Sequence, residues 1–364
     1  MTTITEIWVD RETIRTTRIV ERSADALGPD QIRVAVDRFA LTANNVSYAI
    51  TGASLRYWDF YPAAAPYGIV PVWGMADVVD SNSPAISVGE RLWGFFPMAS
   101  HATLTVGKTR DDSFMDATPH RAALPALYNQ YRRTQAEPDF LSTLEDERCL
   151  LFPLFGTSYI IYDFLVDNNW FGADQLVIGS VSSKTGFGLA KLAHDDADAN
   201  VAVVGVTSQK NAAFVDALNC CDAVVAYGNE DRIDAAKPTI YVDMSGNRSL
   251  TEKLHRHFGD QLVQSCLVGA THWEGDRRVD KSLPGARPTF FFAPAQVAKR
   301  NEEWGAGVFA GKIAMACAQL AQGVKDIIAV ERIAGAANVA AIWNDLLDNK
   351  VDTRRGLLAS VDGP

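Results

Sequence analysis

The first 110 positions carry short apolar runs at 32–36, 70–73, 76–79 and 91–96, separated by Gly, Pro and Asn. Runs this short, with turn residues between them, predict the strands of a small antiparallel barrel-like domain. From 110 to 150 the pattern dissolves into charge and polar aromatics: Asp111, Asp112, Asp116, His120, Arg121, the run Tyr128 to Arg133, and Glu145-Asp-Glu147. This segment reads as an irregular or helical insertion, either a lid or a surface excursion. The most apolar stretch, 149–166, contains Pro153, Gly156 and Asp163, which favours a buried helix over a membrane span.

Between 174 and 294 strand-like and helical patterns alternate. Strands are predicted at 175–179, 201–206, 222–226, 239–243, 261–268 and 289–293, with helices near 185–194, 209–218 and 248–258. That alternation argues for a parallel, doubly wound sheet. A helix near 298–321, a strand near 327–333, a helix near 336–349 and a strand near 355–360 complete the chain.

One stretch of this pattern carries chemistry. The strand at 175–178 runs through Gly179 and Ser182-Ser-Lys-Thr185 into a helix that opens at Gly186. Such a turn aims free backbone N–H groups and the positive end of the helix dipole at one spot, which suits a phosphate. With the strand at 201–206 following, this is the first unit of a dinucleotide-binding fold. The glycine fingerprint is reduced to Gly179, Gly186 and Gly188, and Lys184 follows a serine, so the stretch is no P-loop. An ordinary βα turn of another α/β protein fits the same residues.

Composition adds bounds. A chain of 364 residues, 48% hydrophobic and 21% charged, is long enough for two globular domains. With 44 acidic against 34 basic residues and no basic block, nucleic acid is not an expected partner. The N-terminus shows no signal peptide, and five scattered cysteines without a C-x-x-C predict reduced thiols and a cytoplasmic protein.

Four segments together resemble the medium-chain dehydrogenase/reductase superfamily, on its quinone- and enoyl-reductase side. They are Leu27 to Val36 with Ala43-Asn-Asn-Val-Ser-Tyr48, Pro71 to Val79 leading to Val88-Gly-Glu-Arg-Leu-Trp-Gly94, the nucleotide-binding segment, and the tail Ile327 to Leu358. The resemblance is distant and nearly full length. It implies a GroES-like β-barrel catalytic domain from 1–150 and 295–364, with 110–150 as an insertion, and a Rossmann domain at 151–294. It implies a homodimer by analogy and no membrane partner. Within it the chain resembles a divergent, uncharacterised bacterial branch that shares Ser-Ser-Lys-Thr and Thr271-His-Trp-Glu274.

Zinc ligands of the related alcohol dehydrogenases are missing, since Asn44 or Asn45 and Trp73-Gly-Met75 stand at the expected positions and no cysteine precedes Cys149. A zinc-independent reductase must polarise its substrate oxygen with hydrogen bonds. At the end of the second strand, Thr207, Ser208, Gln209, Lys210 and Asn211 offer hydroxyls and a cation but no carboxylate, which favours NADP(H) over NAD(H). A capped helix with a solvated lysine fits them as well. Ser182, Ser183, Lys184, Thr185 and Gly186 would take the pyrophosphate, Tyr227 would pack on the adenosine, and Ser245 and Gly269 would line the nicotinamide ribose.

Asn45 and Tyr48 stand where the family has its pair near the nicotinamide, with Tyr48 as the proposed acid or else a packing tyrosine, and with Tyr57, His120, Tyr128, Tyr131 and His272 (after a later strand) as rivals. Tyr57, Trp58, Tyr61, Trp73 and Tyr128 are expected to wall an apolar substrate pocket or to form a core beneath a loop. The expected activity is NADPH-dependent reduction of an activated C=C or C=O of a small molecule. The alternatives are a redox-neutral lyase or isomerase with bound nucleotide, and a non-catalytic NADP(H)-binding sensor.

Overall fold

A computed structural model describes residues 2–268 and 282–363. Two compact units emerge, one formed by Met1–Leu150 with Ile328–Pro364 and the other by Leu151–Ile327. The stretch 295–327 therefore lies in the second unit, although the sequence reading assigned it to the first.

The first unit opens with β1 (Thr3–Asp10), β2 (Thr17–Ser23), β3 (Gln31–Leu41) and helix α1 (Ala43–Ile50). Then follow β4 (Tyr67–Ile69), β5 (Pro71–Ser81), β6 (Arg91–Pro97), β7 (His101–Thr109), β8 (Ser113–Asp116) and β9 (Gln130–Arg133). Strands pair in the order β3-β5-β6-β9-β8-β7, and β7 pairs back onto β3, which closes a GroES-like barrel. Closure removes the exposed edges an open sheet would carry. Its core is apolar on the inward positions, with Ile32, Val34, Val72, Phe95, Phe96 and Leu104 fully buried.

The segment 110–150 is thus no excursion, because β8 and β9 are barrel staves. Their sequences hide it: Ser-Phe-Met-Asp and Gln-Tyr-Arg-Arg are four residues each and mostly polar. Asp116 of β8 and Tyr131 of β9 are tied into a buried network. Arg121, 1% exposed, bonds Asp116 at 2.7 Å, Asn129 at 3.0 Å, and the phenol oxygens of Tyr131 and Tyr61 at 3.1 and 3.2 Å.

After the one-turn α2 (Asp139–Ser142) comes α3 (Glu145–Asp167), long and apolar enough by composition to cross a membrane. Cys149, Leu150, Leu151, Phe155, Ile161 and Leu165 on it are buried within the protein, as in a core helix.

The second unit carries β10 (Gln175–Gly179), α4 (Lys184–His194), β11 (Ala202–Thr207), α5 (Ala212–Leu218), β12 (Ala223–Ala226) and β13 (Thr239–Asp243). It continues with α6 (Arg248–Phe258), β14 (Leu262–Leu267), β15 (Thr289–Phe290), α7 (Ala293–Trp304) and α8 (Val308–Val324). The sheet order is β12-β11-β10-β13-β14-β15, every pair parallel. This is the Rossmann order, which reverses direction beside the first strand and places the ligand crevice at the carboxyl ends there. A single helix expected near 298–321 is two, broken at Gly305 and Gly307, both at positive φ.

The tail returns to the first unit as β16 (Ala329–Ala334), α9 (Ala336–Leu347) and β17 (Arg355–Ser360). β17 pairs antiparallel with β3, and α9 buries Val339 and Trp343 in that unit's core.

Candidate functional site

In the second unit, β10 ends in a tight turn. Ser180 adopts a left-handed φ of +56°, uncommon for a residue with a side chain and a mark of a constrained turn. Ser183 N–H closes onto the Ser180 carbonyl at 3.0 Å, and Val181 N–H donates to the Val206 carbonyl at 3.1 Å. Ser183 caps α4 by accepting from Gly186 N–H at 3.1 Å. A side chain at Gly186 would meet the Ser180 carbonyl at 2.8 Å and Ser183 Oγ at 2.9 Å, so only glycine lets the turn and helix approach this closely.

The hydroxyl residues divide between two tasks. Ser182, buried, accepts from Thr207 Oγ1 at 2.9 Å and from Asn211 Nδ2 at 3.2 Å, tying the turn to the end of β11. Thr207, expected at the cofactor, is 1% exposed and spends its hydroxyl on Ser182. Ser208 is half-buried and Lys210 exposed beyond it. Tyr227, just past β12 and 38% exposed, has its phenol beside Ser180.

Where the strand order reverses, Gly179 pairs with Asp243. A side chain at Gly179 would collide with the Tyr241 hydroxyl at 2.9 Å. Asp243 is 1% exposed and its carboxylate accepts from Ser245 N–H and Oγ, Gly246 N–H and Thr251 Oγ1. Burial nevertheless holds its pKa above the usual carboxylate range. Tyr241 was missed as a neighbour of Gly179, since a tyrosine inside an apolar run gives no signal of its own. The signal that could have found it is the register, which sets Val177 opposite Tyr241 and Gly179 opposite Asp243.

In the first unit, α1 presents Tyr48. Its phenol oxygen accepts from Asn44 Nδ2 at 2.7 Å and from Trp73 Nε1 at 3.3 Å. An indole N–H only donates, which fixes the direction of that bond. The Tyr48 ring lies 4.4 Å from Tyr57 and edge-on to Phe95 at 5.5 Å, and Tyr57 and Tyr128 share a hydroxyl bond of 3.0 Å. Trp73 stacks on Trp93 at 4.8 Å. Burial pushes the Tyr48 phenol up, with Tyr57 adding to it. Tyr48, Tyr57, Trp73 and Tyr128 therefore form one cluster.

Other candidates fall elsewhere. Asn45 completes a capping box with Thr42, accepting from Thr42 N–H at 2.8 Å, and its amide donates to the Pro71 carbonyl at 3.2 Å. Both ends of the side chain are used, so it holds α1 in place. An Asn45→Ala variant will lose about 1–2 kcal/mol of stability, the size of a lost cap, measured by urea unfolding. Trp58 is wedged between Gly52 and Gly68, where any side chain would overlap its ring, and so belongs to the core. Tyr61 is drawn into the Arg121 network, with its hydroxyl donating to the Phe95 carbonyl at 2.6 Å. His272 and Gly269 lie outside the described residues. Among the described residues no group of three or more His, Cys, Asp or Glu is arranged to hold a metal.

One family profile, described as a protein of unknown function (DUF2855), matches residues 39–352. The chain belongs to the DUF2855 family. No curated protein matches it. Solved structures of similar fold include the yhdH oxidoreductase from Salmonella enterica in complex with NADP, 12% identical with a TM-score of 0.55 over 98% of this chain and 100% of that one. CurA from Vibrio vulnificus in complex with NADPH is 14% identical, with a TM-score of 0.58 over 95% of both chains. The quinone oxidoreductase from Coxiella burnetii is 13% identical, with a TM-score of 0.54 over 99% and 100%. This DUF2855 chain thus has the two-unit fold of the quinone- and enoyl-reductase type, Rossmann sheet and GroES-like barrel together.

Proposed function

We propose that the protein is a zinc-independent, NADPH-dependent oxidoreductase that reduces an activated C=C or C=O of a small, partly apolar molecule. The observation that carries it is the Ser180–Gly186 turn, pinched to glycine-only spacing at the switch point of the Rossmann sheet. Neighbours of the same fold are complexes with NADP and NADPH, which supports the same cofactor here. In this reading Ser183, Lys184, Thr185 and Gly186 hold the pyrophosphate, and Lys184 acts as a point charge. Ser208 and Lys210 face the 2′-phosphate, and no carboxylate among 207–211 repels it. Tyr227 parts from Ser180 to stack on the adenosine, and Ser245 meets the ribose.

When bound, NADPH supplies the hydride. Tyr48 supplies the proton: with Asn44 and Trp73 both donating to its oxygen, its own O–H is left to donate. Burial keeps that phenol protonated through neutral pH. Tyr57, Trp73 and Tyr128 give the aromatic lining. Tyr48→Phe will lower kcat with enones, quinones or aldehydes roughly 10²- to 10⁴-fold and leave NADPH affinity unchanged. An unchanged kcat removes Tyr48 from the chemistry. The low exposure of Tyr48, 5%, favours a second reading, a non-catalytic NADP(H)-binding sensor. NADPH binding without NADPH oxidation across the whole panel selects it.

A further inference from the structure

Cys220 and Cys221 join α5 to β12, just after the left-handed Asn219 at φ +46°. Their sulfurs face one another at 3.8 Å. Cys220 lines a groove of about 380 Å³ between α3, α4 and α8, whose walls include Tyr162, Lys191, Asp195 and Leu320. Cys221 is partly exposed. The other cysteines, Cys149, Cys266 and Cys317, are buried apart from one another in the sequence and unpaired by disulfides. Burial pushes the Cys149 and Cys266 thiols up to about 12; the Cys221 S–H and then Lys191 hold Cys220 below its ordinary value, while the bond to Cys220 and burial hold Cys221 above its own. Cys220, 1% exposed at the groove wall, is therefore the attacking thiol of the pair and Cys221 the resolving one.

We propose that Cys220–Cys221 is a reversible oxidation site, closed to a vicinal disulfide by hydrogen peroxide, and that closure loosens the turn at Ser180–Gly186. The Cys220 thiolate attacks a peroxide oxygen and becomes a sulfenic acid, releasing hydroxide. The Cys221 sulfur then attacks the Cys220 sulfur and expels a second hydroxide. The two thiol protons end in two waters, so two thiols and one peroxide give one disulfide and two waters.

Adjacent Cα atoms lie about 3.8 Å apart, below the roughly 4.4–6.8 Å that disulfides favour. The bond is strained and correspondingly easy to reduce, as a switch requires and a structural staple does not. The link to the turn runs through Gly205 of β11. A side chain there would meet Cys221 Sγ at 2.9 Å and Val181 Cγ1 at 2.7 Å, so the two bracket its bare face. Closing the sulfurs to about 2.05 Å draws Cys221 off Gly205 and removes packing beside Val181, inside the turn. The switch operates with or without a bound nucleotide.

The test treats the full chain with hydrogen peroxide, then reads intact mass, peptide mapping and hydrogen exchange over 180–187. The expected result is loss of two hydrogens mapped to the 220–221 peptide, faster exchange at 180–187, and reversal of both by dithiothreitol. Cys220→Ala and Cys221→Ser, each measured alone, will show neither the mass loss nor the exchange change. Oxygen addition at this pair without ring closure overturns the proposal. Ring closure with unchanged exchange overturns the link to the turn.

Discussion

Arg121→Met will cost the protein about 3–5 kcal/mol of stability, because it strands the Asp116 carboxylate in the barrel wall without its cation. Both partners are almost wholly buried, at 2% and 1% side-chain exposure. Asp116 keeps the Thr105 and Thr118 N–H donors and the Thr118 hydroxyl on its other oxygen, neutral donors that do not replace the guanidinium's charge. Methionine fills the volume, so the loss reports charge and not a cavity. The melting temperature will fall on the order of 10 °C, and an Asp116→Asn, Arg121→Met double variant will recover part of the deficit. A loss below about 1 kcal/mol, the size of an exposed ion pair, would contradict the role assigned to this network. Arg121 also bonds the Tyr128 carbonyl at 2.9 Å, so its removal reaches the aromatic cluster around Tyr48.

Lys184→Glu will weaken NADPH binding roughly 10- to 150-fold, the equivalent of one charge-assisted hydrogen bond of about 1.5–3 kcal/mol. Position 184 is the first residue of α4, where a carboxylate complements the helix dipole and offsets the contact the lysine gives up. A calorimetric titration beside a thermal melt separates ligand loss from fold loss. Unchanged affinity would remove the phosphate from this turn.

The Rossmann unit was legible because its central strands β10, β11 and β13 are buried on both faces and read as unbroken apolar runs such as Leu176-Val-Ile178 and Val203-Val204. The capped turn was legible for a similar reason, since Ser183 and Gly186 are local signals of a helix start. What sequence could not show was polarity satisfied at long range. β8 and β9 look like loop because their Asp116 and nearby Arg121 are buried as a pair. Asn45 looked chemical, yet its partner is the Pro71 carbonyl twenty-six positions on. Trp58 looked like a pocket wall, and only the folded chain brings Gly52 and Gly68 to its two faces. Conversely, Gly305 and Gly307, both at positive φ, are themselves a local signal of the break between α7 and α8.

Isothermal titration of the full-length protein with NADPH and with NADH tests the nucleotide reading most directly. Saturable binding of NADPH, at least tenfold tighter than NADH and lost in Lys184→Glu, is the expected result. No heat with either nucleotide, or equal affinity for both with Lys184→Glu indistinguishable from the parent, would contradict it.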